Sequence, residues 1–378
     1  MKIIKESNQS QEELNFSGTN IYVGIDVHKK SWNVTIMIYN QYIKTISMNP
    51  SPKELGKYLR KNYPRGNYYS VYEAGFSGTW IHRALLKAGI KNIIVNPADI
   101  PTTNKERLTK TDTVDSKKLA KMLSNGSLQA ISVPDTKQEA IRGISRMREH
   151  FVKTQTSVKN QINALLNREG VEVDPKYKYG RWSHNYINEL RKIKFTEEAV
   201  KYELEAEIEL LIFIRKKLTE ILKEIRRIIT ETEEINKIIK LLLTIPGIGT
   251  ITAFTLYTEL WDIKRFTNKD KLASYVGLSP ACHNSGEKER VLGLINRHNA
   301  RLRNLLIESA WVAIRHDNAL TKKYGELLLR SKPQKAIIRI AKKILFRIRT
   351  IWINEVPYIK GNLKSPQNRT ITHALPEA

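Results

Sequence analysis

Cysteine is nearly missing from this chain of 378 residues, where Cys282 stands alone. That excludes an intrachain disulfide and any zinc site built on several cysteines. Also lacking is an apolar run long enough to span a bilayer. The opening Met-Lys-Ile-Ile-Lys-Glu-Ser-Asn turns polar after its first residues, so it has no apolar signal core. Acidic residues are few beside basic ones, 38 against 64, leaving a formal net charge of +26 and a pI of about 9.9. A surplus of that size points to a polyanionic partner, because neutralising phosphates releases counterions and drives nucleic-acid binding. A disulfide scaffold and a membrane protein are thereby set aside. The expectation is a soluble, cytoplasmic protein that binds nucleic acid.

The hydrophobic content of 41% is enough for real cores, and the length suggests two or three domains. Residues 1–19 are polar without periodicity and read as a loose leader. Ile21 to Val27 is a short apolar run containing Asp26, and Trp32 to Tyr39 alternates and is rich in β-formers. Tyr42 to Met48 completes a meander; Asn49-Pro-Ser-Pro52 breaks it, and Glu54 to Tyr63 reads as a helix. A strand from Tyr68 to Glu73, a helix from Thr79 to Ala88 and a strand from Asn92 to Val95 follow. The order β-β-β-α-β-α-β-α implies a mixed sheet covered on both faces.

The last helix of that series begins near Lys110-Thr-Asp112-Thr-Val-Asp115, with Leu119, Met122 and Leu123 at helical spacing. Asp112 and Asp115 share a face of its first turn. Seen alone, the pair answers the usual preference of acids for that end of the helix dipole. Asp26 and Glu73, at the ends of the first and fourth strands, change the weighing. Two like charges 4 Å apart cost about 4 kcal/mol at an effective dielectric near 20. Four converging carboxylates are tenable with raised pKa values or bound cations. Oxygen-only ligation favours Mg²⁺ or Mn²⁺.

Three segments carry a resemblance: Gly24-Ile-Asp26-Val-His-Lys-Lys30, Tyr72-Glu73-Ala-Gly-Phe-Ser-Gly78, and Lys110-Thr-Asp112-Thr-Val-Asp115-Ser-Lys-Lys-Leu-Ala120. In order and spacing they resemble the DEDD-type insertion-sequence transposases, relatives of the Piv invertase described as bridge-RNA-guided recombinases. The resemblance implies a ribonuclease-H-like (RuvC-like) α/β domain whose four acidic positions fall on Asp26, Glu73, Asp112 and Asp115.

Gln138 to Asn167 turns helical, with Arg142, Arg146, Arg148, Lys153 and Lys159 along it. Such a helix is either solvated or offers its cations to phosphates. Residues 171–195, with Trp182 and His184, read as a connector. From Thr196 to Leu243 runs the longest helical pattern, with Leu204, Ile208, Leu211, Leu218, Leu222, Ile225 and Ile229 in alternating steps of four and three, broken at Arg215. That pattern suits a coiled coil or a long antiparallel hairpin, and its length favours a partner-facing role.

Thr244-Ile-Pro-Gly247-Ile-Gly249-Thr250 ends that pattern with a tight turn before a new helix. Amides at a helix start can hold a phosphate oxygen, and the element resembles a helix-hairpin-helix, although an ordinary turn fits too. Asn284-Ser285-Gly286 reads as a turn. An unassisted serine is a poor nucleophile. The resemblance implies more: the segment from Leu243 to about Ile314 is similar to the family's C-terminal transposase domain, whose Ser-Gly turn carries the nucleophile, here Ser285. Asn284 stands where the family often has a second serine. Arg297, Arg301 and Arg303 crowd the start of the next helix, against the usual dipole preference, which suits a polyanion there. Lys110, Gly247 and Gly249 complete the set expected to contact nucleic acid.

The expected organisation is a RuvC-like domain over 20–130, a helical coiled-coil and assembly region over 131–242, an α-helical C-terminal domain over 243–360 and a disordered tail over 361–378. By resemblance the function is a transposase or site-specific recombinase acting on donor and target DNA through a phosphoserine, guided by a structured RNA, and assembled as a dimer to tetramer. The resemblance also implies a prokaryotic, nucleoid-associated setting. A RuvC-like nuclease and a non-catalytic nucleic-acid scaffold are the rivals.

Overall fold

The computed structural model describes residues 14–101, 112–172, 174, 176, 182–285, 288–295 and 297–360. Lys110, most of the expected leader and the tail after 360 lie outside them. The chain divides into two compact units, residues 1–133 and 134–378.

The first unit is built on a five-stranded sheet in the order β3-β2-β1-β4-β5. The strands are β1 (Asn20–Val27), β2 (Trp32–Ile38), β3 (Gln41–Met48), β4 (Asn67–Glu73) and β5 (Lys91–Val95). Tyr39 and Asn40 both take positive φ, 50° and 61°, which makes the tight hairpin between β2 and β3. β1 pairs antiparallel with β2 and parallel with β4, so the meander and the crossovers meet at β1.

Alternation along β1 decides what lies on each face. Ile21, Val23 and Ile25 point to one side, where they are buried with Leu55 and Leu59 of α1 (Pro52–Asn62) and Ile81 and Leu85 of α2 (Trp80–Lys87). Ser51 starts α1 by accepting a hydrogen bond from the Glu54 amide at 3.2 Å, with Pro52 in the first turn. The opposite face carries α3 (Asp112–Ser124), whose Leu119 packs with Val71, Val95 and Ile100. A mixed sheet covered on both faces, followed by a largely helical remainder, bears out the sheet that the strand order implies and fits the ribonuclease-H-like class that the resemblance implies.

The second unit opens with α4 (Thr136–Arg168), started by a capping box between Asp135 and Gln138. After α5 (His184–Lys192), the chain forms α6 (Glu198–Glu231) and α7 (Glu233–Leu243). The single long helix expected from 196 to 243 is broken at Thr232, which takes the extended values φ −112° and ψ 104°. α4 and α6 run antiparallel, with Arg168 at the end of one 2.8 Å from Glu203 near the start of the other. The stripe of Leu204, Ile208 and Leu211 is buried against Val158, Ile162 and Leu165 of the same chain. Of the two arrangements the heptad-like spacing allowed, the described residues show the intrachain hairpin, and this stripe is not available to a partner.

A second helical core follows, formed by α8 (Thr250–Leu260), α9 (Lys269–Val276), α10 (Ala300–His316), α11 (Asn318–Leu328) and α12 (Pro333–Asn354). Ile337, Ile340, Ala341, Ile344 and Ile348 of α12 are buried at its centre. This core already includes Ile221 and Ile225 of α6, upstream of the composition change near 243. The C-terminal region is not wholly α-helical. β6 (Pro280–Ser285) and β7 (Lys288–Leu294) form an antiparallel hairpin between α9 and α10. Its residues do not show the alternation that would mark a strand.

Candidate active site

Asp26 and Glu73 come together through sheet register. β1 and β4 are parallel, with Ile25 opposite Tyr72, so the next step along both strands carries Asp26 and Glu73 to the same level. Each lies two residues beyond a member of the Gly24–Val71 pair, and Val71 packs toward α3. The two carboxylates therefore share the α3 face of the sheet.

α3 is held on that face by a chain of hydroxyls. Thr35, opposite Gly24 in the register, lies 2.9 Å from Ser116 and 2.7 Å from Thr45, oxygen to oxygen. Ser116 is buried, and its neighbour Asp115 is half-buried in the same turn. Asp112 is the first residue of α3, one turn earlier. Its side chain lies outside the described set, as does that of Ser285.

His28 escaped the sequence reading. Its Nε2 is 3.0 Å from Oδ2 of Asp26, and the Asp-Val-His spacing just past a strand end was the available signal. Beside it is a cavity of about 350 Å³ lined by Lys29, Trp32, Phe76 and Trp80, among others. Among the described residues, no group of three or more His, Cys, Asp or Glu side chains is drawn together as a metal cluster. Asp26, Glu73 and Asp115 are among the residues so described: their oxygens are of the kind a hard divalent ion takes, but the expected convergence of the carboxylates is not seen among these three.

Ser285 ends β6 and pairs with Lys288 of β7, so it stands where the two strands meet their connecting loop. The roots of this hairpin are stitched together. The Ile295 amide donates to the Ser279 carbonyl at 3.2 Å, and the Asn299 amide to the Tyr275 carbonyl at 2.9 Å.

The basic residues divide. Arg297 is exposed. Arg303 turns inward and donates to the Ile295 carbonyl at 2.6 Å, its pKa lowered by burial. Arg301 is paired with Glu149 of α4. Arg146 is paired twice with Glu259 of α8, at 2.7 and 3.0 Å, and the Arg142 guanidinium lies 5.2 Å from the Trp261 ring centre. Four arginines that looked available to phosphates thus have internal partners. Glu259 is fully buried; burial pushes its pKa up, but Arg146, together with Asn299, outweighs that and holds it below the usual carboxylate range.

Gly247 takes φ +84° and lies against the Ser309 carbonyl of α10, so its lack of a side chain serves packing. Gly249, the residue before α8, has open space beside it and gives that helix no side-chain cap. The amides at the start of α8 remain candidates for a phosphate.

Sheet and helical remainder fit the ribonuclease-H-like class of fold with an added helical module. Comparison with known proteins narrows this. Residues 23–169 match a DEDD-type transposase family, and residues 239–326 match the family described as "Transposase IS116/IS110/IS902 family". The chain is 30% identical over 310 residues to the putative transposase y4rJ of Sinorhizobium fredii, covering 74% of this chain and 76% of that protein. It is 26% identical over 283 residues to the transposase for insertion sequence element IS1111A of Coxiella burnetii, covering 72% and 74%. With the putative transposase y4qE of Sinorhizobium fredii it shares 30% over 243 residues, 64% of this chain but 58% of that relative's length. The chain belongs to the IS116/IS110/IS902 transposase family. Among the described residues, no helix is long and apolar enough to cross a membrane.

Proposed function

We propose that this protein is the transposase of an insertion sequence, cutting and rejoining DNA strands through a covalent serine intermediate. The observation that carries the reading is the register that sets Asp26 level with Glu73 on the face covered by α3. Asp26, Glu73, Asp112 and Asp115 would hold Mg²⁺, or Mn²⁺, which when bound polarises the scissile phosphate and offsets charge developing on it.

Ser285 is the nucleophile in this reading. Its oxygen forms a bond to the scissile phosphorus as the bond to one strand oxygen breaks; the serine proton is lost and the departing strand end gains one as a hydroxyl. One phosphoester is exchanged for another, so rejoining to a different strand needs no external energy source. Exposed Arg297, Lys110 and the amides after Gly249 would bind backbone phosphates. A structured guide RNA would select donor and target, and a dimer or tetramer would bring the serine of one subunit to the carboxylates of another. RNA and assembly rest on the family resemblance. Ser285 and the carboxylates lie in different compact units of the chain, an organisation compatible with such sharing.

The rival with structural support is a RuvC-like nuclease, because the carboxylate face forms within residues 1–133 without the serine hairpin. One assay separates the two. Purified protein, guide RNA, Mg²⁺ and end-labelled DNA are incubated, denatured and resolved for a protein–DNA adduct. An adduct lost in Ser285→Ala supports the transposase mechanism. Undiminished cleavage in Ser285→Ala sinks the serine and leaves the nuclease. DNA binding without any cleavage points to a non-catalytic scaffold.

A further inference from the structure

We propose that Glu259 is a positioning residue for the Ser285 hairpin, holding the hairpin's root through Asn299 and tying it to α4 through Arg146. This deepens the reading of Ser285 as nucleophile and rests on it.

A two-stranded hairpin is at best marginally stable on its own. An attacking atom carried on one therefore needs support from elsewhere, since a misplacement of about 1 Å can cost about a hundredfold in rate. The support is found at the root, and Glu259 is at its centre. Its carboxylate is fully buried and takes hydrogen bonds from three donors: Nε of Arg146 at 2.7 Å, Nη2 of Arg146 at 3.0 Å and Nδ2 of Asn299 at 3.0 Å.

Asn299 passes that constraint to the hairpin. Its amide donates to the Tyr275 carbonyl, locking the strand that leaves β7 against the segment that enters β6. Its side-chain oxygen accepts from the Leu302 amide at 3.2 Å and so starts α10. Tyr275 returns to the same point, its hydroxyl donating to the Glu259 carbonyl at 3.4 Å. Arg303 closes the far side by donating to the Ile295 carbonyl. Gly277, at φ +83°, leaves room there that a β-carbon would take from His298 and Arg303.

A buried ion pair is costly, so apolar residues at both 146 and 259 would serve as well if stability alone were at stake. What the carboxylate adds is direction: it accepts from α4 and from the hairpin root at once. A shift of α4 would therefore reach the hairpin's root through two hydrogen-bonded steps, Arg146 to Glu259 and Glu259 to Asn299, and the serine at the hairpin's far end through the paired strands.

The test uses the full chain, with Glu259→Gln and, as a milder variant, Asn299→Ala. Amide hydrogen exchange is read first, without nucleic acid. Faster exchange across residues 279–295, with α12 unchanged, is the expected result. Adduct formation is read next, with a fall of about tenfold to a hundredfold in kcat and KM for DNA within about twofold of the parent. Unchanged exchange in the hairpin for both variants overturns the proposal. So does loss of protection throughout α12 in both, because that reports general destabilisation. Ser285→Ala is run in parallel. If it keeps full cleavage, the serine reading fails by itself, while hydrogen exchange still decides whether Glu259 holds the hairpin.

Discussion

Gly24 lies directly beneath the backbone of Ser116: a β-carbon there would stand 2.1 Å from the Ser116 carbonyl oxygen and 2.4 Å from the Ala120 nitrogen. The helix carrying Asp112 and Asp115 can sit on β1, two residues from Asp26, because residue 24 has no side chain. Neither obstructing atom belongs to a flexible side chain. Gly24→Ala is therefore expected to lift α3 off the sheet and destabilise the first unit by about 1–3 kcal/mol. Urea denaturation measures the loss; an unchanged midpoint would show that α3 moves freely.

Ser116 is the polar counterpart of that contact. Ser116→Ala removes a buried hydroxyl but leaves Thr35 its bond to Thr45 at 2.7 Å. A loss of about 1 kcal/mol is expected, with cleavage activity largely kept. Valine at Thr35 would remove both bonds and should cost more in the same assay.

Asp26→Asn keeps the size of the side chain and removes its charge. Cleavage is expected to fall about a hundredfold or more, DNA binding to persist, and Mn²⁺ affinity measured by calorimetry to drop. Retained Mn²⁺ binding with lost cleavage would mean that Asp26 serves through its contact with His28 at 3.0 Å rather than as a ligand.

Two tyrosines set the alkaline limit of the second unit. Burial, with help from Glu234 and Asp135, pushes Tyr257 up to about 12. Burial and the hydrogen bond to Asp317 push Tyr358 up to about 12. The unfolded chain releases these protons near pH 10, so the stabilisation is complete below that pH and lost as pH rises through about 12. Absorbance titration should find these two among the last phenols to ionise, and Tyr358→Phe should remove one of them.

Glu259 sets the acid limit. Its folded pKa is depressed, so its contribution is present above the ordinary value of 4.5 and lost as pH falls through the folded value. Glu259→Ala strands the Arg146 guanidinium; because Arg146 is 41% exposed, a cost near the lower end for broken buried pairs, about 3 kcal/mol, is expected from chemical denaturation. Glu259→Gln should flatten the acid leg of the stability curve.

Much of the first unit is legible in the chain itself. Alternation from Ile21 to Val27 and from Trp32 to Ile38, and the breaks at Asn49–Pro52 and Asn96–Pro97, are local signals, and local sterics are enough to read strand and helix order from them. Placement of Asp26 and Glu73 at strand ends follows from the same pattern. The serine hairpin was missed because Pro-Ala-Cys-His-Asn-Ser in β6 and Lys-Glu-Arg at the start of β7 do not alternate apolar with polar, and the apolar residues of β7 are bunched at its end.

Side-chain fate was not legible. Arg146 and Glu259 are 113 residues apart, and Arg301 and Glu149 152 apart, so nothing nearby in sequence marks either arginine as already paired. The stripe of α6 likewise reads the same whether it meets a second chain or α4. By itself, then, the sequence determined the order of elements, the acidic strand ends and the charge that calls for a polyanion. The tertiary structure decided which face each carboxylate shares, which arginines remain exposed and what supports Ser285. Periodicity and charge are properties of neighbours along the chain, whereas pairing depends on distances that only folding sets.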